Sequence, residues 1–95
     1  MPIVMIERWD GIDAKKYEEI RKLAKWDTDT PKGLLLHIAS FADGNAHMVD
    51  VWDSPDDFQR FVAERIMPAV QQLGIAGQPD VQIYPTHAIL NPGRL

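Results

Sequence analysis

An α+β fold built on one four-stranded antiparallel sheet is what this chain predicts. Three observations carry that expectation. Four segments have the alternation of strands, two have the periodicity of amphipathic helices, and their order is β-α-β-β-α-β. Such an order brings both helices back to one face of the sheet, the ferredoxin-like arrangement. At 95 residues the chain makes a single domain, 1–95, because a second hydrophobic core would not fit.

Residues 2–9 read as the first strand, and Gly11 breaks it. Asp13 can cap a helix over about 14–26, with Tyr17, Ile20, Leu23 and Ala24 as its apolar stripe. Residues 27–33 are rich in turn formers. The second strand spans 33–42, Asp43-Gly44 signals a two-residue hairpin, and 45–53 return as the third strand. That strand runs without a loop into a second helix over about 55–65. Ser54 is its N-cap, Pro55 suits the first helical position, and Asp57 stands three residues after the cap. Phe58, Phe61 and Val62 then share one helical face. Pro68 must kink that helix or start a short new one, which Gly74 would end. The last strand covers 81–90, and Pro85 marks an edge or a bulge in it. The tail 91–95 has nothing to hold it except a partner.

A net charge of −4 leaves no basic stripe to neutralise phosphates, which argues against nucleic acid as a partner. Lys15, Lys16, Arg21, Lys22 and Lys25 cluster, but Glu18 and Glu19 interleave with them as on a solvated helix face. The chain has no cysteine, so disulfides, thiolate catalysis and Cys-type zinc sites are excluded. No signal peptide is evident and no apolar run could cross a bilayer, so the expectation is a cytoplasmic protein with no membrane partner.

A two-residue turn at Asp43-Gly44 sets the hairpin register. Ser40 then opposes His47, Ile38 opposes Val49, Leu36 opposes Val51, His37 opposes Asp50 and Leu35 opposes Trp52. The face with Leu36, Ile38, Ser40, His47, Val49 and Val51 is mostly aliphatic and is expected under the helices, with Val4 and Ile6. The other face holds His37, Asp50 and Trp52, with Met5, Glu7 and Trp9 from the first strand. That second face is too apolar to leave in water, which predicts a homodimer whose two sheets pack face to face.

Val51-Trp52-Asp53-Ser54, followed by Phe58 and Phe61, makes the pattern V-W-x-S-x-x-x-F-x-x-[FW] at the third strand and second helix. Together with the strand order it resembles the dimeric α+β-barrel superfamily, in its antibiotic-biosynthesis-monooxygenase-like group. The resemblance covers essentially the whole chain. It implies a fold more sharply than a function, since the group includes quinone-forming oxygenases, haem-degrading enzymes and polyketide cyclases. The haem-degrading branch has Trp where this chain has Phe61 and a ligating His late in the next helix. Residues 66–74 contain no His, which argues against haem. The cyclases have a His early in the third strand and then a Val-acid-Val alternation, to which His47-Met48-Val49-Asp50-Val51 is similar. Their second pair, a Tyr and a His around the second helix, has no counterpart at 58–74.

His47 is the first catalytic candidate. A neutral imidazole among Val49, Ile38 and Phe58 could remove a phenolic or enolic proton; the plainer reading is a core-edge histidine bonded to Ser40. His37 and Asp50 are the second candidate. They face each other across strands and form either an orienting imidazole–carboxylate pair or a polar link that fixes register. The spacing of His37, His47 and His87 fits no ligand pair, so no metal is expected. Tyr17, Phe58 and Phe61 come from different helices and could flank one cavity for a flat aromatic ligand, or simply fill the core.

The resemblance and the histidine together imply a small-molecule enzyme that works without a cofactor. It would deprotonate an electron-rich aromatic or polyketide-type substrate, whose carbanion then reduces dioxygen. His47 would be the base, with Tyr17, Ser40, Phe58, Phe61 and Val49 lining the site. The alternatives are a cyclase-like aldol catalyst using the same histidine, and a non-catalytic binding or oligomerising module.

Overall fold

The computed structural model describes residues 1–93. The last two residues of the expected tail lie outside them. Four strands, β1 (Ile3–Asp10), β2 (Leu34–Ala42), β3 (Asn45–Trp52) and β4 (Asp80–Pro85), form one sheet in the order β2-β3-β1-β4. Every neighbouring pair is antiparallel. Helix α1 (Ala14–Ala24) connects β1 to β2. Helix α2 (Pro55–Phe61), a π-helical turn (Val62–Ile66) and helix α3 (Met67–Gln72) lead from β3 toward β4. This is the ferredoxin-like order that the pattern of elements predicts.

Local chemistry sets the ends of the elements. Asp13 accepts a bond from the Lys16 N–H at 2.8 Å, and Ser54 accepts one from the Asp57 N–H at 3.2 Å; each such cap is worth about 1 kcal/mol. Asp43 and Gly44 both have positive φ, 55° and 78°, as a two-residue hairpin turn of the right-handed-twist type requires. The hairpin register follows as expected from Ala42 opposite Asn45 to Leu36 opposite Val51. A shift between Leu34 and Leu36 then puts Leu34, not Leu35, opposite Trp52. Strand β4 stops at Pro85 rather than running to residue 90, because proline has no N–H to donate to the ladder.

Pro68 stands in the first turn of the short helix α3, the new start that the sequence offers, and α2 reaches it through the π-turn. The Met67 N–H reaches back five residues to the Val62 carbonyl, so the helix widens into the π-turn just before the proline. The wider turn absorbs the clash and the missing donor that Pro68 would impose on a regular helix.

The faces of the sheet are exchanged relative to the sequence expectation. Trp9, Ala46 and Met48 pack with Ile12, Tyr17, Ile20, Ala69 and Val70 of the helical layer. Ile3, Met5 and Trp52 pack with Ala24, Phe58 and Phe61. The aliphatic face, carrying Ile6, Leu36, Ile38 and Val49, is left open, each of these residues being more than a third exposed. Both faces are apolar, so alternation alone could not orient them. The large side chains, two tryptophans and two methionines, fill the deep gap between sheet and helices, while short aliphatic ones suit a flat outer surface.

Candidate functional site

The two core clusters meet at an enclosed cleft between sheet and helices. It contains about 50 Å³ of space. Its floor is Met5, Glu7, Met48 and Asp50, and its roof is Tyr17, Phe58, Phe61 and Ile66. His37 and Trp26 close one end.

Asp50 is the one buried charged residue among those described, at 2 % exposure. It sits on β3 between Met5 of β1 and His37 of β2. The Trp52 Nε1–H donates to its Oδ2 at 3.0 Å, and His37 Nδ1 lies 2.5 Å from its Oδ1. With the carboxylate ionised, Nδ1 must carry the proton and donate it. The neutral imidazole then has Nε2 free as an acceptor, and the Tyr17 hydroxyl, 2.6 Å away, donates to it. A relay Asp50–His37–Tyr17 thus links the sheet to α1. The carboxylate fixes the tautomer and can balance a proton arriving on the ring.

Aromatic rings hold the relay. The Tyr17 ring is parallel to that of His37 within 6°, and Trp26 covers His37 at 4.2 Å between ring centres. Trp26 in turn meets Phe61 edge-on at 4.6 Å. Burial pushes the Tyr17 phenol above its usual pKa; Arg21 opposes the shift, while Glu18, Asp50 and Asp27 add to it. The phenol therefore stays protonated and available as a donor. Glu7 is pushed from 4.5 to about 7, mainly by burial and then by the Asp50 charge.

Of the candidates named from sequence, His37, Asp50, Tyr17, Phe58 and Phe61 line this cleft. His47, Ser40 and Val49 do not. They lie on the open face of the sheet with Ile6 and Ile38. The Ser40 hydroxyl donates to the backbone carbonyl of His47 at 3.2 Å and leaves the imidazole alone. The exchange of faces is the reason. Glu7, Trp9 and Trp26 belong to the cleft although they were not singled out for it. The alternation Met5-Glu7-Trp9, in register with Asp50, is the signal that places the first two there.

No family model matches the chain, and no curated protein does. Solved structures match over nearly the whole length. SnoaB, a cofactor-independent oxygenase from Streptomyces nogalater, is 16% identical, with 94% of this chain and 96% of that chain covered at a TM-score of 0.68. A protein of unknown function from Nitrosomonas europaea is 15% identical over 97% and 95% at 0.70. A "putative antibiotic biosynthesis monooxygenase" from Caulobacter crescentus is 16% identical over 92% and 91% at 0.65. The fold is that of the antibiotic-biosynthesis-monooxygenase-like proteins. At these identities the likeness to monooxygenase-like proteins is one of fold. Among the described residues, no helix is long and apolar enough to cross a membrane.

Proposed function

We propose that the cleft is the active site of a small-molecule enzyme of the cofactor-independent monooxygenase type, acting on an aromatic or polyketide-type substrate. The observation that carries this reading is the hydrogen-bonded Asp50–His37–Tyr17 relay at the edge of a largely apolar space. A substrate hydroxyl passes its proton to the Tyr17 oxygen while Tyr17 passes its own to His37 Nε2, and Asp50 balances the imidazolium. A positioned base of this kind contributes ~10²–10⁴-fold. The carbanion form of the substrate then gives its electrons to dioxygen. Overall a ring methylene and one O₂ become a carbonyl and one water. The role of base falls to His37, because His47 stands on the far side of the sheet.

One observation favours a second reading, a module that binds or oligomerises without catalysis. The enclosed cleft, about 50 Å³, is below the ~300 Å³ at which small-molecule sites begin. An oxygen electrode separates the possibilities. With an anthrone-type phenol, the oxygenase reading expects one O₂ consumed per quinone formed. A cyclase acting on a poly-β-keto chain through the same relay would close a ring with no oxygen uptake. No turnover of either substrate would leave the non-catalytic module.

A homodimer is proposed as well, through the open face rather than the face expected from sequence. Ile6 (44 % exposed), Leu36 (41 %), Ile38 (48 %) and Val49 (37 %) make an aliphatic surface that a second copy of the sheet would cover.

A further inference from the structure

A second apolar space shares a wall with the cleft. A groove of about 320 Å³ runs between β4 and the π-turn, with Pro79 and Val81 on one bank and Ala63 and Met67 on the other. Glu7, Trp9, Phe58, Val62 and Ile66 line both spaces. The groove, unlike the cleft, falls within the ~300–1,000 Å³ of small-molecule sites.

Two polar groups stand on the shared wall. Trp9 is 5 % exposed, and its buried Nε1–H has no acceptor. Orphaned donors of this kind are rare in folded proteins, and a ligand oxygen is one way to satisfy them. Glu7 is the other, a carboxyl whose pKa is pushed up to about 7 by burial and then by the Asp50 charge. No lysine or arginine lines the groove, so an anionic ligand would meet Glu7 with no countercharge in the groove.

We propose that the groove seats a neutral, flat, largely apolar molecule bearing a carbonyl or quinone oxygen, and that Trp9 Nε1–H and the Glu7 carboxyl hold that oxygen at the shared wall. The inference rests on the cleft being an active site for an aromatic substrate; it adds where the body of that substrate lies and which group anchors it. Glu7 and Trp9 are positioning residues here. The titratable and charged groups sharing the cleft with Glu7 are Asp50 of β3, His37 of β2, and Tyr17 and Arg21 of α1. From α2, the π-turn, α3 and β4 the residues that line the groove with it are uncharged: Gln59 is polar, and Phe58, Val62, Met67 and Val81 are apolar. Ionisation of Glu7 turns a donor into an acceptor and weakens the hold on a carbonyl oxygen.

The test is a ¹H–¹⁵N NMR titration of the full chain with 1,4-naphthoquinone, naphthalene and 2-naphthoate. The quinone is expected to shift amides at residues 58–67 and 79–83. Naphthalene and the carboxylate should bind about tenfold more weakly, the equivalent of one lost hydrogen bond. Trp9→Phe, checked for folding by circular dichroism, should lose about tenfold in quinone affinity. Glu7→Gln keeps a neutral donor, so it should retain affinity at pH 8.5, where the wild-type chain weakens. Equal affinity for naphthalene and the quinone, shifts confined to other residues, or no quinone binding would each overturn the proposal, as would both variants matching wild type. Quinone bound in the groove without any oxygenase turnover would sink the activity and leave the subsite. Turnover with an unchanged KM in Trp9→Phe would do the reverse.

Discussion

His37 Nδ1 lies 2.5 Å from Asp50 Oδ1, across a single rung of the β2–β3 ladder. The rung faces the helices, which leaves Asp50 with two donors, His37 and the Trp52 indole, and no contact with water beyond 2 % exposure. Removing the carboxylate by Asp50→Ala strands both donors in the core. A loss of about 3–5 kcal/mol is expected, read by urea unfolding. Asp50→Asn keeps the shape and costs less stability. It no longer enforces the Nδ1–H tautomer, so turnover should fall by ~10²-fold or more.

Glu7 makes stability depend on pH. Its folded pKa, about 7, lies above the ordinary 4.5, so the fold favours the protonated acid. The contribution is fully present below 4.5 and is lost as pH rises through 7. At about 1.4 kcal/mol per unit, the loss is at most on the order of 3 kcal/mol. Glu7→Gln removes it. Urea unfolding at pH 5 and pH 8 should show the variant gaining stability relative to wild type between the two; a constant difference would contradict the assignment.

Gly33 carries φ +87°, and a Cβ there would fall 2.3 Å from Asp57 Oδ2. Its carbonyl also accepts from the Asp53 N–H at 2.8 Å, just before the α2 cap. Gly33→Ala should cost about 1–3 kcal/mol, from backbone strain and steric clash together. Adding Asp57→Gly, which removes the Cβ, Cγ and Oδ2 that the new Cβ would meet, should recover the steric part and leave the strain, as a double-mutant cycle would measure.

Arg65 ties the π-turn to the loop that carries Trp26. Its guanidinium donates to the carbonyls of Ala24 and Asp29 and to the Asp29 carboxylate, and it lies 5.7 Å over the Phe61 ring. Arg65→Ala should speed hydrogen exchange at amides 26–30, where Trp26 covers His37, with a stability loss of about 1–2 kcal/mol. Unchanged exchange there would show that the loop holds itself.

What could be read from the sequence was what local chemistry determines. Asp13, Ser54 and Asp43-Gly44 act within four residues of themselves, so both helix starts, the hairpin and its register as far as Leu36 opposite Val51 were legible, while the shift beyond Leu36 was not. The His37–Asp50 pairing followed from that register. Which way the pair faces was not legible, because Leu36, Ile38 and Val49 look as much like core as Met5, Met48 and Trp52 do. Contacts that depend on how the layers pack had no local signal: Tyr17 reaching His37, Trp26 folding over it, and the π-turn accommodating Pro68.

The aliphatic outer face bears on assembly. Ile38→Asp, opposite Val49 on the open surface, places a charge at its centre. Sedimentation velocity should find wild type at twice the 10.8 kDa chain mass and the variant at the single mass, still folded. A wild-type monomer at micromolar concentration would remove the proposed dimer.

The central claim is that the histidine under the helices, not the one on the open face, carries the proton. Oxygen uptake with an anthrone-type phenol, measured for His37→Gln and His47→Ala side by side, tests it most directly. The account predicts that uptake collapses in the first and stays at the wild-type rate in the second. The opposite pattern, or wild-type uptake surviving in His37→Gln, would contradict it.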